Sequence, residues 1–82
     1  MKTVAEINAR IETVKAQAYA IRDSGTVELR KMEEEIELLS TIAGEDEEDK
    51  MTADGVLDYA YTEYPEGSEF AEMADAVVKW VL

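Results

Sequence analysis

The 82 residues include no cysteine and no histidine, which excludes a disulfide framework, Cys/His zinc sites and a histidine general base. Twenty acids against eight bases give a net charge of −12, which argues against direct binding to nucleic acid or to an anionic membrane and favours a basic protein surface. A chain of this length makes one domain with a limited core, burying only ~60% of its unfolded surface, so a monomer is marginal and a homodimer would help.

The N-terminal sequence Met1-Lys2-Thr3-Val4-Ala5-Glu6 lacks the apolar stretch of a signal peptide. No run of apolar residues is long enough to span a bilayer. Together with the absence of cysteine, this gives a cytoplasmic expectation. Thr3 and Glu6 then form a capping box, with Thr3 as N-cap. Behind it Val4, Ile7, Ile11, Val14, Ala18 and Ile21 recur at alternating spacings of 3 and 4. That seam predicts a long first helix. Arg22-Asp23-Ser24-Gly25 ends it, and Ser24 or Thr26 can cap the next helix.

A second helix is predicted from about Thr26 to Ala43. Leu29, Met32, Ile36, Leu39 and Ala43 form its seam, Val27 and Ile42 widen it, and Leu38 borders it. Two matched seams joined by a short turn imply an antiparallel hairpin over residues 1–43. The seam could instead serve a coiled-coil dimer through Ile7, Ile11 and Val14; packing within the chain is the simpler reading. Gly44 closes the second helix.

Residues 44–51 form an acidic loop containing Glu45-Asp46-Glu47-Glu48-Asp49. Placing Gly55 at the invariant glycine of a calcium loop puts Lys50 and Tyr61 at ligand positions, so an EF-hand is not expected. Thr52 caps a predicted third helix to about Glu63, with Ala53, Val56, Leu57, Ala60, Tyr61 and Tyr64 inward. Gly55 and the alternation around Tyr59 and Tyr61 keep a strand open as the competing reading. Pro65, Glu66, Gly67 and Ser68 form a break. Ser68 is the predicted cap of a last helix, in which Phe70, Met73, Val77, Trp80 and Val81 share a face. The expectation is an all-α fold, a long helical hairpin packed by two shorter helices from residues 52–82. The aromatics Tyr59, Tyr61, Tyr64, Phe70 and Trp80 are read mainly as core, with some tyrosines at an interface rim.

The charge is unevenly distributed. The first thirty-one residues sum to +2, whereas Met32–Leu82 sum to −14 with only Lys50 and Lys79 as bases. An ordinary solvated face mixes both signs. The candidate partner-binding residues are Glu33, Glu34 and Glu37 on the second helix, Glu47 in the loop, Asp54 and Asp58 on the third, and Glu69 and Glu72 beside the fourth. Duplex DNA carries one negative charge per ~1.7 Å of axis, a density that carboxylates on adjacent helices roughly reproduce.

In size, in the lack of Cys and His, and in this one-signed helical surface, the chain resembles the small acidic phage proteins that inhibit host defence by imitating DNA, of the anti-CRISPR and anti-restriction type. The resemblance rests on no shared motif. It implies a basic protein partner such as a host CRISPR or restriction complex, residence in the host cytoplasm, no cofactor or metal, and no catalysis. A charge that serves only to keep the chain in solution, or a halophilic source, is the plainer reading.

A second resemblance lies in Asp23-Ser24-Gly25-Thr26-Val27-Glu28-Leu29 and Met32-Glu33-Glu34-Glu35-Ile36. This stretch is similar to the acyl carrier proteins, in which an Asp-Ser-Leu triplet opens an acidic second helix. It implies phosphopantetheine on Ser24. Gly25 stands where that family has leucine. A helical assembly protein without DNA mimicry is the remaining alternative.

Overall fold

A computed structural model describes all 82 residues, Met1–Leu82. Four helices follow one another with no strand: α1 (Val4–Ala20), α2 (Val27–Ala43), α3 (Ala53–Glu63) and α4 (Ala71–Val81). Three of the four starts are built by threonine. The Glu6 amide donates to Thr3 Oγ1 at 3.1 Å while the Thr3 amide donates to Glu6 Oε1 at 3.3 Å, the reciprocal box predicted from the sequence. Thr26 Oγ1 accepts from the Leu29 amide at 3.4 Å and Thr52 Oγ1 from the Gly55 amide at 3.1 Å. Each cap satisfies a donor that the helix itself leaves unpaired. The competing strand reading of residues 52–64 is thereby settled in favour of a helix.

α1 and α2 have 17 residues each, so each is ~26 Å long. They lie along one another as an antiparallel pair, and α4 packs on both α2 and α3. The core is wholly apolar. Ile7 and Ile11 from α1 meet Leu38, Leu39, Ile42 and Ala43 from α2, Val56 and Ala60 from α3, and Met73, Ala74, Val77, Val78 and Val81 from α4. These residues draw on the first half of α1 and the last half of α2, so the shorter helices cover only the open end of the hairpin. Val14 is also fully buried but stands apart from that cluster.

This placement corrects several sequence expectations. Beyond Val14 the seam lacks a covering layer, and Ala18, Ile21 and Leu29 remain half-buried. Val27, at the first position of α2, is 56% exposed and does not widen the stripe. On α3 the inner face is turned toward Val56, Tyr59, Ala60 and Tyr64, leaving Ala53, Leu57 and Tyr61 outside. On α4 the buried face is broader than predicted, and Trp80 sits at its edge, 37% exposed. Ser68 does not cap α4. Its Oγ is buried with no hydrogen-bond partner, and Phe70 takes the cap position without a side-chain bond.

Gly44 directs the chain out of α2. Its φ of 67° and ψ of −157° lie in a region open essentially to glycine. A Cβ there would stand 2.7 Å from the Asp49 backbone. The acidic loop therefore folds back tightly on the end of α2, with its five acids exposed. Asp46 Oδ1 accepts from the Glu48 and Asp49 amides at 2.8 and 3.2 Å. The Met51 amide closes the loop onto the Ile42 carbonyl at 3.0 Å.

Candidate functional site

The carboxylates occupy several distinct settings. On α2, Glu33 and Glu37 are four residues apart and both exposed, so they share the helix face turned from the core, ~6 Å apart along the axis. Asp54 and Asp58 repeat the same spacing on the exposed side of α3. None of these four forms an ion pair; the six ion pairs of the chain involve other acids. Glu72, in the first turn of α4, is also unpaired and lines a cleft with Arg10, Glu28, Lys31 and Glu35. Acids in a first turn are favoured by the helix dipole, which suits both Asp54 and Glu72.

Three other candidates are engaged within the chain. Glu34 is half-buried, and Tyr64 Oη donates to its Oε2 at 2.6 Å. Burial first, and then this bond to an anion, raise the Tyr64 pKa far above its ordinary value. Glu69 accepts both guanidinium nitrogens of Arg30 at 3.3 and 3.4 Å, while that guanidinium also lies 5.5 Å from the Phe70 ring centroid. Glu47 Oε2 meets Lys50 Nζ at 3.1 Å and its Oε1 accepts from the Val4 amide at 3.4 Å. Glu47 thus ties the acidic loop to the start of α1. Lys50 Nζ also donates to the Lys2 carbonyl, and the Lys2 amide donates to the Val81 carbonyl at 2.7 Å. The N-terminal segment, the loop and the end of α4 are thereby joined.

The structure also shows pairings outside the set of candidate residues. Arg10 of α1 pairs with Glu35 of α2 at 3.4 Å. Asp75 accepts from Tyr61 Oη on one oxygen and from Lys79 Nζ on the other, both at 2.9 Å. The Lys79 ammonium, and then the Tyr61 hydroxyl, hold the Asp75 carboxyl below its usual range, and Asp75 in turn raises both partners. The i,i+4 spacing of Asp75 and Lys79 signalled their pairing; Glu47 and Lys50, three apart, gave an equivalent signal. The tertiary partners had no local signature.

Ser24 is exposed, with its Oγ 2.9 Å from Thr26 Oγ1, next to the cap of α2. Gly25 beside it has φ 62°. Ile7, Ile11 and Val14, the candidate dimer seam, are buried within the single chain. No three acids converge as metal ligands, and no charged residue is buried. No helix is long and apolar enough to cross a membrane.

These features define a small four-helix, all-α protein whose carboxylates stand on its outer surface. No known protein family, characterised protein or solved structure matches the chain.

Proposed function

We propose that this protein acts by occupancy, docking its acidic surface on a basic, nucleic-acid-binding surface of another protein, in the manner of anti-CRISPR or anti-restriction DNA mimics. The observation that carries this reading is the state of Glu33, Glu37, Asp54 and Asp58. They are exposed, ordered on two helices at matched spacing, and free of internal ion pairs. Carboxylates that only maintained a solvated surface would be interspersed with bases. Fixed on helices, these four keep their spacing when a basic groove approaches. Long-range attraction then speeds encounter, and displacement of counterions makes the affinity salt-dependent. The acidic loop, held by Asp46 and Glu47, adds five exposed acids to the same charge.

The test is displacement of labelled duplex DNA, read by fluorescence anisotropy, from a panel of CRISPR effector complexes and restriction enzymes. The native chain is compared with the combined Glu33→Lys, Glu37→Lys, Asp54→Lys, Asp58→Lys variant. Each reversal adds two positive units, so the net charge rises from −12 to −4. The variant should retain its helical circular dichroism and lose displacement by about tenfold or more, with a shallower dependence on salt. Equal displacement by the two chains, or none by the native chain across the panel, defeats the proposal.

A further inference from the structure

We infer that the cleft between the end of α3 and the start of α4 receives an arginine side chain of the basic partner; this deepens the docking reading and rests on it. The cleft measures about 400 Å³ and is lined by Tyr61, Tyr64, Glu66, Ala71 and Asp75. That volume lies at the small end for ligand sites and suits one long side chain. Three of the other four aromatic rings already hold a cation of this chain: Arg22 lies 4.0 Å from the Tyr19 centroid, Lys2 5.4 Å from Trp80 and Arg30 5.5 Å from Phe70. The fourth, Tyr59, is half-buried against the core. Tyr61 and Tyr64 line an open cleft with no internal cation over them.

The surrounding charges favour the same ligand. Tyr61 Oη donates to Asp75 and Tyr64 Oη to Glu34. A phenol donating to a carboxylate has a more electron-rich ring, which strengthens its attraction for a cation. Asp75 and Lys79 neutralise one another at 2.9 Å. Glu66 is exposed at the rim and has no ion-pair partner, so the cleft keeps a net negative charge. Raised pKa values keep both tyrosines neutral at ordinary pH. A guanidinium suits this setting better than an ammonium. It is planar, more weakly hydrated, stacks on aromatic faces and pairs with a carboxylate through two parallel N–H groups.

The experiment titrates the ¹⁵N-labelled full chain with a blocked Gly-Gly-Arg-Gly-Gly peptide and with its uncharged citrulline counterpart. The arginine peptide should shift amides at residues 61–66 and 71–75 and bind about tenfold more tightly than citrulline. Tyr61→Leu keeps an apolar side chain at a position that is 43% exposed, so the fold should survive, and it should weaken the arginine peptide about fivefold. Glu66→Gln, on the intervening turn, should weaken it about threefold. Equal binding of the two peptides overturns the inference. Shifts confined to Glu33, Glu37, Asp54 and Asp58, or unchanged affinity in both variants, also overturn it. DNA displacement by the native chain with a silent cleft removes this inference and leaves the docking reading standing. An arginine-selective cleft without any DNA displacement does the reverse.

Discussion

Replacing Gly44 by alanine should loosen the end of α2 and the acidic loop together. The residue combines positive φ with extended ψ, a region that costs a Cβ-bearing residue ~1–3 kcal/mol. The added Cβ would also lie 2.7–2.8 Å from the Asp49 carbonyl carbon, oxygen and Cβ, so backbone must move and not merely a flexible side-chain end. Gly25 provides the control: its φ is also positive, but a Cβ there meets nothing within 4 Å. Gly25→Ala incurs only the conformational strain, partly offset by a stiffer unfolded chain, and should cost ~1 kcal/mol or less. Gly44→Ala should cost ~3 kcal/mol, against a total stability of ~4–12 kcal/mol for a domain of this size. For such a domain each kcal/mol is worth ~4–8 °C, so the two melting temperatures should differ by ~8–16 °C. Thermal and urea melts followed by circular dichroism measure the difference. Hydrogen exchange of the Met51 amide, bonded to the Ile42 carbonyl at 3.0 Å, locates it. If both variants melt within a few degrees of one another, the contact between Gly44 and Asp49 does not constrain the loop.

The hydrogen bonds to carboxylates should make stability depend on pH in two places. Tyr64 has a folded pKa raised above its ordinary value of 10.0, so its contribution is fully present below pH 10 and is lost as pH rises beyond it; Tyr64→Phe should make the fall in urea midpoint between pH 9 and pH 11 shallower, and an unaltered slope refutes the assignment. Glu6 has a folded pKa below its ordinary value of 4.5, chiefly because the Thr3 backbone amide and then the Thr3 hydroxyl bond its anion. Its contribution is present above pH 4.5 and lost as pH falls through the lower folded value, so Glu6→Gln should flatten part of the acid limb of the stability curve, and an identical limb in acid titration argues against the box.

Local signals in the sequence led to local structure. Thr3 with Glu6, the alternating 3 and 4 steps of Ile7, Ile11 and Val14, and the two threonines at 26 and 52 each specify a feature within one or two turns of chain. The hairpin and the all-helical fold arise from these. The rotation of α3 was not legible, because Val56, Leu57, Tyr59, Ala60 and Tyr61 are apolar nearly all round the helix. Its inward side is chosen only when it docks with α4 and the end of α2. The same holds for the candidate site. The abundance and sign of the charge could be counted, and the i,i+4 pairs Glu33–Glu37 and Asp54–Asp58 could be placed on faces. Which acids would be withdrawn into internal pairing depends on how separate helices meet. Tyr64 reaches Glu34 across 30 residues and Arg30 reaches Glu69 across 39. No spacing rule predicts such encounters, so Glu34 and Glu69 could not be told apart from Glu33 and Glu37 beforehand.

The aliphatic interior has a consequence for the exterior. Because no charged group is enclosed, the acids that make no internal bond, such as Glu33, Glu37, Asp54 and Asp58, can be lost or inverted without disturbing the packing beneath. At those positions the architecture beneath sets no constraint on the sign of the charge.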